Sequence, residues 1–536
     1  MFRNQSVNVH QFSMIPRADI PRSSFNIQKA HKTTFDAGLL IPVYCSEILP
    51  GDTFNLSMTA FARLATPIFP IMDNMSLSSF FFFVPNRLVW QHWVNFQGEQ
   101  KNPGDSVSYT IPQTVCPVGG YAAGSIFDHF GLPTAGQVGA GNVVSHSSLP
   151  LRCYNKIWYD WFKDENLQNA PLLFDGDADD PTAGFALLRR GKRKDYFTGC
   201  LPWPQKSNTP VSLPLGGTAP IIGSGSPIQV HDNLGSGARN LIMSNAGTSP
   251  IDYAGTTLAA ASPAFLAEPS GMVADLSAAT AATINQLRQA VQIQRLLERD
   301  ARGGTRYVES ILARFGVQNP DFRLQRSEYL GGSSSPVNIN PIAQTSGSPG
   351  TGGYTATPMG TLAAVGTILA QGHGFSQSFT EHGYVIGLVC VDADLTYQQG
   401  LERFWSRKTR YDFYEPVFCM LGEQAVLSKE IYCDGSLQDE DVFGYQERWA
   451  EYRYAPSQIT GLFRSTDPTP LDAWHLAQRF VSRPVLDSTF IQSNPPVDRV
   501  IAVTSPGYQF IFDSFFNIQA ARPMPMFSVP GMMDHF

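Results

Sequence analysis

The chain has 536 residues, 15% of them charged, with a net charge of −7. That length exceeds one ordinary domain, so it holds either several domains or one core with long insertions. The acidic balance excludes a general polycation, and any contact with nucleic acid must be local. Charge is also sparse against the usual ~25% of a globular protein. Such a surface favours association in a free monomer and is expected to be covered by partners.

Residues 1–34 set Arg3, Arg17, Arg22, Lys29 and Lys32 against Asp19 alone, with Pro16 and Pro21 discouraging helix. An extended basic N-terminal arm is expected, followed by a strand at 39–44. Residues 49–87 then hold two strands. Phe54, Leu56, Met58 and Ala60 alternate with polar or small neighbours, as a strand with one covered face requires. In the second, Phe80 and Phe82 point to one side and Phe81 and Phe83 to the other, so both faces must be covered. Leaving either face wet would forfeit roughly 1.5–3 kcal/mol per Phe. The second layer is expected from a long insertion or a neighbouring subunit.

A helix is expected over 151–167, where Tyr154, Ile157, Trp158, Trp161 and Phe162 recur at three- and four-residue steps. Together, 35–205 form the first part of the core with a helical insertion. Residues 206–274 turn to Gly, Ser, Thr, Ala and Pro and read as a variable insertion, whose apolar patches argue against plain disorder. A helical insertion, 275–330, carries a helix at 277–302, stopped by Gly303 and Gly304, and a shorter one at 305–316. Residues 331–374 contain no Asp, Glu, Lys or Arg and read as an uncharged loop touching another surface. Strands return in the second part of the core, 375–520, at 384–391, 426–432, 500–504 and 508–516. The Pro-, Met- and Phe-rich tail, 521–536, is an extended apolar arm that needs a receiving groove. Short strands with long connections predict an antiparallel β-sandwich with insertions.

The densest positive run, RRGKRK, comprises Arg189, Arg190, Lys192, Arg193 and Lys194 around Gly191, with Tyr196, Phe197 and Trp203 following. Cations beside aromatics suit single-stranded DNA, although such runs more often serve as solvated or intersubunit loops. Asp175, Asp177 and Asp179 alternate like calcium-loop ligands, but Asp180 and Ala186 stand where Gly and Glu are required, which favours an acidic turn. His373 and His382 fit no zinc spacing and read as loop histidines. No GxSxG or HExxH string occurs. Seven scattered cysteines without a CxxC pair point to reduced thiols. No run approaches ~18 apolar residues, so neither membrane insertion nor secretion is expected.

The strings at 49–87, FTEHGYVIGLVCVDADLTYQQGLERFWSRKTRYDFYEPVF at 379–418, LGEQAVLSKEIY, FGYQERWAEYRYAPSQITGLFRS, LDAWH, RGGTRYVE, RLQRSEYLGG and ARPMPM closely resemble the major capsid proteins of gokushoviruses, single-stranded DNA phages of the Microviridae. The resemblance spans nearly the whole chain. It implies a mainly β, eight-stranded antiparallel jelly roll, many copies of which form a T=1 icosahedral shell around circular single-stranded DNA. It also implies a surface protrusion near the three-fold axes at 206–274, usable for a host receptor, and partners that include a small basic internal DNA-binding protein and scaffolding proteins. The subunit would belong to the virion, be assembled in the bacterial cytoplasm, and carry no catalytic residue, cofactor or metal. The competing readings are a β-sandwich glycoside hydrolase, which needs two carboxylates in a cleft, and a carbohydrate-binding protein acting on a host envelope.

Overall fold

The computed structural model describes residues 21–206, 284–303, 325–350, 356–502 and 508–527, with six short strands between 221 and 274 and isolated residues at 228, 309 and 312–313. Nine strands build the core: β1 (Ser23–Phe35), β2 (Ile41–Ile48), β3 (Thr53–Leu64), β4 (Met75–Pro85), β5 (Glu328–Pro336), β6 (Asn338–Ala343), β7 (Leu362–Ser378), β8 (Gly383–Ala393) and, after the hairpin β9 (Glu423–Leu427) and β10 (Val442–Glu447), β11 (Phe510–Arg522). They form two antiparallel sheets, β1-β11-β3-β7-β6 and β5-β4-β8-β2. Only Val337 separates β5 from β6, so one extended segment passes from one sheet to the other. Counted that way, eight segments make up the two sheets, and successive segments change sheet except from β4 to β5 and from β6 to β7, as in a jelly roll.

The alternating pattern of β3 places Phe54, Leu56, Met58 and Ala60 between the sheets, where they meet Phe510, Phe512 and Phe516 of β11. From the other sheet come Phe81 and Phe83 of β4, with Phe81 against Phe375 at 5.6 Å and Phe83 against Phe379 at 4.8 Å. The opposite face of β4 is covered as well, and the chain does this itself. Phe82 packs on Trp161 and Phe162, and Phe80 on Phe162. Both covering rings belong to a π-helical turn (Trp158–Phe162) that extends the helix α1 (Leu149–Ile157). The second layer is therefore the insertion that follows β4, and it builds a second core around Trp90, Leu151, Tyr154 and Ile157.

Within that insertion Arg152 and Asp180 form a fully buried fork, with Nε to Oδ2 at 2.7 Å and Nη2 to Oδ1 at 2.8 Å. The remaining guanidinium protons go to the carbonyls of Val89, Gly176 and Ala178. A buried pair is tolerable only when its other hydrogen-bonding positions are satisfied in this way.

Several expectations are corrected. The uncharged stretch 331–374 is mostly strand, because its Ser, Gly, Ile and Leu residues lie in β5, β6 and β7 and need no charge to be covered. From Ser23 onward the basic arm is β1, paired with β11 along its whole length, and residues 1–20 lie outside the described residues. The start of the tail, Ala521 and Arg522, ends β11, while 528–536 lie outside the described residues, as does most of the short helix expected at 305–316. The strand expected at 426–432 stops at Leu427, and a helical turn (Ser428–Ile431) replaces the rest. Of the strand expected at 500–504, Ile501 forms an isolated bridge with Pro67, and residues 503–504 lie outside the described residues.

Residues Gln205–Gly303 form a compact unit of their own, larger than the insertion expected at 206–274 because it includes a helix. Its short strands pair antiparallel, and α2 (Ile284–Arg302) ends where the Gly303 N–H bonds the Arg299 carbonyl at 2.8 Å. Leu287, Val291 and Leu296 of this helix are exposed.

Candidate assembly surfaces

Between β8 and β9 the chain runs through three single-turn helices, Arg403–Ser406, Arg410–Asp412 and Pro416–Phe418. The segment has neither a two-residue nor a 3.6-residue apolar period, so no sheet or helix face buries it. Trp405, Tyr411, Phe413, Val417 and Met420 all point outward, and Val417 and Met420 are each 87% exposed. Tyr452 and Tyr454 continue the apolar surface. A patch of this kind on a soluble chain marks an interaction site.

The loop is anchored from behind. Trp449 is buried, donates its indole N–H to the Phe418 carbonyl at 2.9 Å, and packs edge-on against Tyr414 at 5.5 Å. Its φ of 69° is the one positive value at a non-glycine position among the described residues. A bulky residue holds that conformation only when its surroundings impose it.

Behind the patch lies a cavity of about 280 Å³ bordered by Tyr196, Tyr397, Arg403, Arg407 and the carboxylates Glu430 and Glu451. Glu430 accepts from the Tyr196 hydroxyl at 2.7 Å, from Arg403 at 2.9 Å and from the Leu427 N–H at 2.9 Å. Burial raises its carboxyl above the ordinary range, while Arg403 and the two hydrogen bonds pull it partway back. Glu451 lies 3.8 Å from the same Arg403 and 3.6 Å from Arg407. The two carboxylates thus share Arg403 inside the subunit.

The RRGKRK run is built into the subunit. It passes between the two halves of the core, bridging Leu39 and Gln492 through Arg189 and Gly191. Arg189 donates to the carbonyls of Ala37 and Ser493, and Arg190 pairs with Asp392 at 2.9 Å over the Phe80 ring. Lys192 is buried over Phe490 and donates to Gln478; burial pushes its ammonium down to about 8. Arg193 pairs with Asp394 and Lys194 with Asp164, their side chains remaining 50% and 59% exposed. Of the three aromatics expected beside the run to stack on bases, Tyr196 and Phe197 are buried in a third core with Val426 and Phe443, while Trp203 is partly exposed.

The other candidate residues also have structural roles. Asp177 accepts from the Trp90 indole at 2.7 Å and pairs with His92, and Asp179 accepts from the Gln113 N–H. His373, expected in a loop, is buried in β7, whereas His382 follows β7 and packs edge-on against Trp93. All seven cysteines are free, and burial raises the thiols of Cys45, Cys153 and Cys390, which makes them poor nucleophiles.

A jelly roll whose densest basic run is tied to acids and carbonyls of its own subunit, and whose aromatic loop is turned outward, is a shell subunit: a protein whose work is association. The chain belongs to the capsid protein (F protein) family, whose model matches residues 13–532. It is 46% identical over 551 residues to capsid protein VP1 of Bdellovibrio phage phiMH2K, covering 99% of both chains. It is 43% identical over 598 residues to capsid protein VP1 of Chlamydia phage 1, covering 98% of both, and 37% identical over 557 residues to that of Spiroplasma virus 4, again covering 98% of both. These relatives are gokushovirus coat proteins, and the present chain is a structural capsid protein, not an enzyme. The hydrolase reading is set aside on that ground. In the sequence the aromatic loop between β8 and β9 shows itself only as a cluster of aromatics without period.

Proposed function

We propose that copies of this chain close into a T=1 icosahedral shell around a circular single-stranded DNA genome, in the cytoplasm of a bacterial host. The observation that supports the shell is the outward-facing loop of Trp405, Tyr411, Phe413, Val417 and Met420, too apolar to remain wet and rigidly backed by Trp449. Head-to-tail contact of such a patch with a different surface on the next copy closes into a shell when the rotations close. Assembly uses scaffolding proteins, and a small basic internal protein accompanies the genome. The RRGKRK run reaches the strand only through Arg193 and Lys194. The 206–274 insertion carries the attachment surface for a host receptor, near the three-fold axes. Negative-stain microscopy of the expressed chain tests the shell: uniform small spheres support it, and well-behaved monomers contradict it. Deleting 206–274 should leave the spheres intact and abolish attachment to cells.

A further inference from the structure

The two sheets of the sandwich are treated differently. The outer face of the four-stranded sheet is covered by the chain's own insertion, whereas among the described residues the outward side chains of β1, β3 and β11 in the five-stranded sheet are exposed. Its composition is unusual for a wet face, which would normally be rich in Lys and Glu. Asn26, Gln519 and Asn55 form one row across β1, β11 and β3, and Gln28, Asn517 and Ser57 form the next. All six are exposed, and none of their side chains is held by a hydrogen bond among the described residues.

In the next two rows the same face presents two phenyl rings, Phe515 opposite Thr59 and then Phe61 opposite Asp513, 43% and 51% exposed. Beside them stand Arg63, which has no side-chain partner among the described residues, and Lys32, which touches only Asp513 and is itself 73% exposed. The face therefore combines exposed rings, uncommitted amides and two accessible cations on a rigid sheet, in a chain that is acidic overall.

We propose that this exposed sheet face lies against the packaged single-stranded DNA, with Phe61 and Phe515 stacking on bases, the Asn and Gln rows bonding base edges, and Arg63 and Lys32 meeting phosphates. Rings on an exposed sheet serve single strands because every base has a π-face, and amides carry both the donors and the acceptors that unpaired bases lack. A protein occupant would leave rows of amides to be matched one by one in a buried interface, which is costly. A single strand brings flexible donors and acceptors and the negative charge that Arg63 attracts. This inference rests on the reading that the shell encloses DNA.

Ultraviolet crosslinking of purified particles, followed by digestion and mass spectrometry, tests it on the assembled protein. Nucleotide adducts are expected on peptides from 53–64 and 510–522, and they should be lost in particles carrying Phe61→Leu and Phe515→Leu. DNA-filled particles whose adducts fall only elsewhere would overturn the inference while sparing the shell reading. Peptide-to-peptide crosslinks from Lys32 to an internal protein, without nucleotide adducts here, would overturn it in favour of a protein occupant. Particles that contain no DNA would defeat the packaging reading, and this inference with it.

Discussion

His373 on β7 bonds Ser79 on β4 across the sandwich, Nδ1 to Oγ at 2.8 Å, while its Nε2 meets Ser335 on β5 at 2.9 Å. One buried imidazole thereby ties the two sheets together. Burial lowers its pKa below the ordinary 6.5, and the same cause acts first on His31, His129, His146 and His475. A folded state that holds off protons the unfolded chain accepts is fully stabilised above about pH 6.5 and loses that stability as pH falls below it. Thermal unfolding of the subunit, followed from about pH 7 down to about pH 5, should show a falling midpoint. His373→Gln, which keeps hydrogen-bonding capacity without the titration, should flatten part of the slope.

The Arg152–Asp180 fork predicts a much larger effect from a single atom change. Asp180→Asn leaves a buried guanidinium without its counter-charge, which costs about 3–5 kcal/mol. Denaturant unfolding should show the loss, and a change below ~1 kcal/mol would mean that the carbonyls of Val89, Gly176 and Ala178 suffice to hold Arg152.

Gly374 follows the bulge in β7, where a Cβ would overlap the carbonyl oxygen of Leu56 on β3. Backbone cannot rotate aside as a side chain can. Gly374→Ala is expected to destabilise the sandwich by about 1–3 kcal/mol, as overpacking does, and to lower the melting midpoint without altering the wet faces of the subunit.

Much of this architecture is written in local patterns. The two-residue alternation of Phe54, Leu56 and Met58, and the doubly apolar run Phe80 to Phe83, specify one strand with one covered face and another with two. The helix under β4 follows from the spacing of Tyr154, Ile157 and Trp158. Residues 331–374 read as a loop in sequence because absence of charge marks both an uncharged loop and a strand that lies over a core, and pairing with distant β4 and β3 decides between them. The RRGKRK run shows the same limit. Its charge is visible in sequence, but its partners Asp392, Asp394 and Gln478 lie some two hundred residues or more away. The aromatic loop between β8 and β9 has no period to read, since no sheet or helix face of the subunit buries it.

That loop makes a prediction that separates folding from association. Val417→Ser with Met420→Ser removes two exposed apolar side chains, each contributing up to about 1.5–3 kcal/mol if buried in a contact. A net loss of about 3 kcal/mol corresponds to roughly a hundredfold weaker association. The subunit melting midpoint should stay unchanged, since neither side chain supports the core. Equal loss of both properties would place these residues in the fold instead of the contact.

The central claim is that this subunit carries more apolar exterior than a solitary molecule can keep. Sedimentation velocity of the purified chain over a rising concentration series at neutral pH tests it most directly. The account predicts that the monomer gives way to large, discrete assemblies as concentration rises. A single monomeric boundary throughout the series, with the aromatic loop freely accessible, would contradict it.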